Sequence, residues 1–220
     1  MADGRGGPAQ FPLLPGGVPM TTDDPTAEAK RLLRAATRVR RSAARAAAPD
    51  AGAHAVSQFF DAITPTPGCV VSGYWPMDDE FDARPLLAAL DARGHPIGLP
   101  VVLGKGRPLV FRRWRPGDTL EPAAFGTSVP GEAAAEVTPS LLLVPLLAVD
   151  PRGFRLGYGG GFYDRTLDGL RAAGAASAAG AAVTAVGLCF DAQCIASVPT
   201  NANDQPLDWL VTECRAVAFA

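Results

Sequence analysis

The stretch that most constrains the fold runs from Leu141 to Arg165. It opens with an apolar run, Leu141-Leu-Leu-Val-Pro-Leu-Leu-Ala-Val149. It continues as Pro151-Arg-Gly-Phe-Arg-Leu-Gly-Tyr-Gly-Gly-Gly-Phe-Tyr-Asp-Arg165 and leads into a helix-like run from Phe162 towards Ala173. The order is strand, loop, helix. Glycines at 157, 159, 160 and 161 let a ligand approach the backbone. Successive loop N–H groups can then point at an anion, with the positive end of the next helix behind them. Arg155 and Arg165 flank the loop, and Asp164 stands in the first helical turn. The loop fits neither standard phosphate motif. It has no Gly-Lys-Ser/Thr, and counting a dinucleotide fingerprint from Gly157 puts Phe162 where glycine is required.

Composition sets the frame. A chain of 220 residues with 48% hydrophobic content is expected to form one packed domain. Net charge is −2, with Lys30 and Lys105 the only lysines, so there is no global attraction to nucleic acid or anionic membrane. The four cysteines, Cys69, Cys189, Cys194 and Cys214, form no CxxC and are expected to be buried and reduced. With only His54 and His95 available, a zinc site is not expected. No run of 18 apolar residues and no signal-peptide pattern is found, so a cytoplasmic protein is expected.

Residues 1–21 are rich in Gly and Pro and are read as a disordered extension, leaving 22–220 as the domain; Met20 is an alternative start. Asp24-Pro25 opens a helix that runs to about Ala48 and stops at Pro49. Lys30, Arg34, Arg38 and Arg41 share one face of it, a pattern that a solvated basic face also gives. A second helix covers 51–62, with Val56, Phe59, Phe60 and Ile63 on one side. Residues 69–75 read as a strand ending in the acidic loop 75–82, with Asp78, Asp79, Glu80 and Asp82. A short helix (85–93) closed by Gly94, a strand (96–102) and strands around turns (107–115) follow, with Phe111 and Trp114 expected in the core. Residues 116–139 are read as a long surface connection of the kind that makes a lid. Residues 170–182 read as an Ala-rich helix broken at Gly174 and Gly180, 183–190 as a strand, and 208–213 with the apolar tail as the closing strands. Asn203-Asp204 lies in a Pro-flanked loop and by itself reads as a turn. Strands alternating with helices argue an α/β fold, a three-layer α/β/α single domain with a largely parallel sheet.

Arg155-Leu-Gly-Tyr-Gly-Gly-Gly-Phe-Tyr-Asp-Arg165, following Pro145 and Asp150 in a Pro-x-x-x-x-Asp spacing, resembles the signature of the 5-formyltetrahydrofolate cyclo-ligases, also called 5,10-methenyltetrahydrofolate synthetases. The likeness extends over roughly residues 28 to 215. It implies ATP-dependent cyclisation of 5-formyltetrahydrofolate to 5,10-methenyltetrahydrofolate, releasing ADP and phosphate through phosphorylation of the formyl oxygen. It further implies Mg2+, with ATP and the folate as partners; a monomer is expected.

The resemblance also suggests roles. Lys30-Arg-Leu-Leu-Arg34 matches the family's opening Lys-x-x-x-Arg, so Lys30 and Arg34 are similar to ATP-phosphate ligands. With them go Arg155, Leu156, Gly157, Tyr158, Gly159, Gly160, Gly161, Phe162 and Tyr163. Trp75, Glu80 and the Tyr158–Phe162 segment are expected to face the folate, and Asp164 and Asp204 to hold the metal. Val211-Thr-Glu213 also looks like the family. The chain departs where a Gly-x-x-Glu-Pro pattern is usual: Gly126-Thr-Ser-Val-Pro130 puts Val129 in place of the glutamate. Two other classes stay open on this sequence: another ATP-dependent kinase or ligase on the same scaffold, and a non-catalytic, RNA-binding relative.

Overall fold

The structure is a computed structural model that describes residues 25–176 and 182–219. The expected extension (1–21), the cap Asp24 and the expected helix beyond residue 176 lie outside the described residues. Among the described residues there are four α-helices: α1 (Pro25–Ala47), α2 (Ala51–Ala62), α3 (Arg84–Asp91) and α4 (Phe162–Ala176). The first strands are β1 (Val71–Ser72), β2 (Ile97–Val102), β3 (Leu109–Trp114), β4 (Leu120–Pro122), β5 (Ser128–Pro130) and β6 (Glu136–Val137). The later ones are β7 (Leu141–Pro145), β8 (Ala148–Val149), β9 (Arg155–Leu156), β10 (Thr184–Leu188), β11 (Trp209–Val211) and β12 (Ala216–Ala218).

The main sheet has the order β12-β11-β10-β7-β1-β2-β3-β6. The five central strands, β11 to β2, run parallel, while β12 pairs antiparallel with β11 at one edge and, at the other, β3 pairs antiparallel with β2 and β6 antiparallel with β3. β7 sits in the middle, pairing β10 on one side and β1 on the other, which is why it reads as unbroken Leu-Leu-Leu-Val. Leu141 and Leu143 pack with α2 and α3, in a core that holds Phe59, Leu86, Leu87 and Leu90. Leu142 and Val144 pack on the other side, with Leu167 of α4. The period of two thus sends alternate residues of one strand into two cores, giving the three layers. Phe111 and Trp114 are core residues, as expected.

α1 touches the first core through Ala44 near its C-terminal end. It crosses the loops that follow the parallel strands, reaching Asp79 after β1, Gly157 after β7 and Asp204 after β10. Lys30, Thr37 and Arg41 are buried while Arg38, on the same half of the wheel, is exposed. Carboxyl ends of parallel strands are where α/β sheets bind ligands, so α1 forms one wall of that region.

The structure corrects several sequence expectations. The strand expected over 69–75 is confined to Val71–Ser72, although the Gly73 N–H still bonds the Gly98 carbonyl. The connection 116–139 is built rather than loose: β4 and β5 form a hairpin, β6 adds to β3, and Val129 is buried. Gly174 does not break α4, which runs on to Ala176; a single glycine inside a helix costs only about 1 kcal/mol relative to alanine. The apolar run 141–149 is two elements: Val149 pairs Arg155 in a β8–β9 hairpin, so Arg155 is fixed by a strand before the glycines begin. Of the four free thiols only Cys189 is buried; Cys69 and Cys194 are half-buried and Cys214 is exposed.

Candidate active site at the strand ends

The glycine loop is held in shape by two arginines, one from α1 and one from α4. Arg34 of α1 donates from Nε to the Gly157 carbonyl at 2.9 Å. Arg165 folds back to the Gly160 carbonyl at 2.5 Å. Gly159 and Gly161 have φ of +104° and +63°, a region that other residues reach only with strain. A side-chain carbon at Gly159 would also stand 3.4 Å from the Arg34 guanidinium. α4 starts directly after the loop, with the Arg165 N–H bonding the Gly161 carbonyl at 3.2 Å, so the positive end of its dipole faces the loop.

Two acid–base pairs close the floor. Arg155, buried in the β8–β9 hairpin, donates to Asp164 Oδ1 at 2.7 Å and to the Gln205 carbonyl at 2.5 Å. Burial pulls the Arg155 pKa down, and Asp164 opposes that pull. Lys30 donates to both oxygens of Asp204, at 2.8 and 2.6 Å. Asp204 is further held by the Asn201 N–H at 2.7 Å, which shapes the 201–204 turn. The buried Asp150 carboxylate ties the hairpin to this region, accepting from Arg152 and from the Val198 N–H.

These residues enclose a cavity of about 670 Å³, lined by Lys30, Arg34, the 155–165 loop, Asp168 and the 201–205 turn. Lys30, Arg34, Arg155 and Arg165 face Asp164, Asp168 and Asp204, so cationic groups prevail at the glycine loop. A second cavity of about 340 Å³ is lined by Arg38, Arg41, Ser42, the 77–80 loop, Phe125 and Tyr158. Tyr158 borders both. Glu80 lies in the second, buried, with Oε2 accepting from the Met77 N–H at 2.9 Å and Oε1 without a partner. Burial raises its pKa, against the lowering influence of the Tyr158 hydroxyl, the Met77 N–H and Arg41.

Most residues expected at a site therefore converge. Lys30, Arg34, Arg155, Gly157, Gly159, Gly160, Gly161, Phe162, Tyr163, Asp164 and Asp204 all line the larger cavity. Leu156 lines it too, but its side chain fills a small core with Leu147, Ala148 and Val198. Trp75 is the exception. It borders neither cavity, because its indole packs edge-on to Trp114 at 5.7 Å and lies under Arg84 at 5.6 Å. Sequence reading noted Arg41 and Asp79 without giving them a role at the site and did not single out Phe125, yet each borders the second cavity. Arg41 had a local signal, since it continues the buried and half-buried 30–34–37 row of α1 by one turn. Phe125 had none; it stands on the β4–β5 hairpin with φ +61°, 69% exposed, its ring 5.9 Å from Phe162.

Among the described residues no three His, Cys, Asp or Glu side chains converge to hold a metal ion. Magnesium carried on phosphates needs only one or two protein carboxylates. Asp164 suits that role: both of its hydrogen bonds fall on Oδ1, leaving Oδ2 free of partners among the described residues. Asp204 shares the same cavity. No described helix is long and apolar enough to cross a membrane.

Comparison with known proteins places this geometry. The 5-formyltetrahydrofolate cyclo-ligase from Mycolicibacterium smegmatis is 32% identical over 160 residues, 68% of this chain and 76% of that one. The Haemophilus influenzae enzyme of the same name is 32% identical over 139 residues, 61% and 70% of the two chains. The Aquifex aeolicus 5,10-methenyltetrahydrofolate synthetase structure shares the fold, with a TM-score of 0.62 at 24% identity over 88% of this chain and 92% of that one. The sequence pattern of the 5-formyltetrahydrofolate cyclo-ligase family matches residues 26–213, from α1 to the end of the parallel sheet, and this chain belongs to that family.

Proposed function

We propose that the chain converts 5-formyltetrahydrofolate to 5,10-methenyltetrahydrofolate, using ATP. The chemical obstacle is that a formamide carbon is a poor electrophile and its oxygen cannot leave as oxide. In this reading the formyl oxygen attacks the γ-phosphorus and ADP departs, leaving an iminium phosphate. N10 then attacks the formyl carbon and loses its proton, and the carbon–oxygen bond breaks to release phosphate. The former formyl oxygen leaves in that phosphate, so the atoms balance. No nucleophilic side chain is needed; the protein has to align two substrates and offset developing charge.

The observation that carries the reading is the shared wall. A cation-rich, glycine-lined cavity and a cavity holding a buried carboxyl group meet at Tyr158. Lys30, Arg34, Arg155 and the loop N–H groups suit the ATP phosphates, and Glu80, a buried carboxyl group beside Tyr158 on the second cavity, suits hydrogen-bond donors on the folate ring. The reactive oxygen and the γ-phosphate would then meet beside Tyr158. Magnesium, when bound, would neutralise charge on the transferring phosphoryl; Asp164 and Asp204 would hold it. Lys30 would exchange Asp204 for a phosphate oxygen, so the ion pair in the structure keeps two opposite charges satisfied until ligands replace each partner. The four free thiols fit a reducing cytoplasm, and nothing in the scheme calls for a second subunit or nucleic acid.

The test mixes purified protein with ATP, magnesium and 5-formyltetrahydrofolate and follows the methenyl absorbance. Product is expected only when both substrates are present. ATP turnover with another acceptor and no methenyl product would sink this reading, as would salt-sensitive RNA binding without turnover.

A further inference from the structure

We propose that Arg41 is a positioning residue for both halves of the site: it fixes Tyr158, the side chain common to the two cavities, against the loop that carries Glu80. The inference rests on the functional reading above and adds to it a residue that touches neither phosphate nor metal there. Arg41 is 7% exposed at its side chain, the most enclosed cation of α1. Nη1 donates to the Tyr158 hydroxyl and Nη2 to Asp79 Oδ1. The next residue, Ser42, donates to Asp79 Oδ2, so two adjacent residues of one helix turn grip one carboxylate. The guanidinium also lies 5.6 Å from the centre of the Tyr158 ring.

This arrangement controls position more than it adds stability. A buried ion pair gains little net free energy once desolvation is counted. What the planar fork does is hold two acceptors at fixed separation, which a lysine ammonium cannot reproduce. The acceptors come from loops 38 and 117 residues away, one bearing Glu80 and the other the glycines. Arg34 and Arg165 hold the loop backbone at Gly157 and Gly160, while the Tyr158 side chain takes its anchor from Arg41. Glu80 in turn depends on the same cluster, since Arg41 and the Tyr158 hydroxyl both favour its charged form.

The experiment compares Arg41→Gln, Arg41→Lys, Tyr158→Phe and the double variant Arg41→Gln/Tyr158→Phe. Each single variant is expected to lose about 10- to 100-fold in kcat/KM for the folate, the order expected when a reacting group is misplaced by about 1 Å. The double variant should lose little more than the worse single one, because both remove the same anchor. Hydrogen exchange of residues 157–161, measured without substrates, should quicken in both Arg41 variants. Wild-type exchange and kinetics in Arg41→Gln would overturn the proposal, and so would losses that multiply in the double variant. If Arg41→Gln does not fold, Arg41→Lys and Tyr158→Phe carry the same comparison. If the wild-type protein makes no methenyl product, the functional reading falls by itself, and the exchange of the loop still decides the role of Arg41.

Discussion

Asp164→Asn tests the floor of the larger cavity. From sequence, the substitution looks conservative, since volume and shape are kept and only a metal ligand is lost. The structure changes that expectation. Asp164 is the charged partner of Arg155, whose side chain is 4% exposed, at 2.7 Å. Asparagine can still accept from Arg155 and from the Gln205 N–H through Oδ1, but it brings no charge. Weakening a hydrogen bond between charged groups costs about 1.5–3 kcal/mol. That is less than the ~3–5 kcal/mol of fully breaking a buried pair, because an acceptor remains and Asp164 is 25% exposed. In a domain of this size each kcal/mol lowers Tm by about 2–4 °C, so a drop of roughly 3–12 °C is expected without ligands. Activity should fall by about 100-fold or more if the carboxylate also holds a metal against the transferring phosphoryl. Raising magnesium should recover part of the activity and none of the ligand-free Tm. Thermal melts without nucleotide, and rate against magnesium concentration, separate the two effects. A variant that melts with the wild type would refute the buried-pair argument; full activity at low magnesium would remove Asp164 from the metal.

Other expectations follow from the same geometry. Lys30→Ala should weaken ATP by roughly 10- to 150-fold, the equivalent of about 1.5–3 kcal/mol, while the folate KM changes little; an unchanged ATP requirement would return Lys30 to a purely structural pairing with Asp204. Glu80→Gln should raise the folate KM and spare the ATP KM, and the reverse pattern would mean that the two substrates have been assigned to the wrong cavities. The same variant has a pH signature. Burial raises the Glu80 pKa in the folded chain, so the wild type binds more protons folded than unfolded, and its stability falls as pH rises from about 4.5 through the elevated pKa. The stability of Glu80→Gln relative to wild type should therefore increase over that window; a flat difference would place Glu80 in a more polar setting than described. Cys194 is held down to about 7 by the Cys189 thiol and by Arg215, whose Nη2 stands 3.8 Å from its sulfur. Alkylation of Cys194, followed by peptide mass spectrometry, should accelerate through pH 7 while Cys69, Cys189 and Cys214, whose pKa values are raised, lag. An inflection near the ordinary thiol value would refute that assignment.

Much of the fold was legible in local patterns. The apolar Leu141–Pro145 run, the Pro49 stop after α1 and the glycine loop before α4 each act within a few residues, so the chain announces them. The Lys30–Arg34 spacing placed both cations on one helix face for the same reason. Local pattern shows which face of an element is buried, but not what it is buried against. The Lys30–Asp204 pair spans 174 residues and the Arg41–Tyr158 bond 117. Those meetings depend on strand order: β7 lies between β10 and β1, which brings the loops after all three strands under α1. Trp75 shows the converse. Its position in the sequence suits a substrate contact, while the structure sets its ring edge-on to Trp114 of β3. Local spacing determined the glycine loop, the helix that covers it and the central strand. Tertiary structure decided which carboxylates the arginines meet, since that follows from sheet topology and from the need to pair each buried charge.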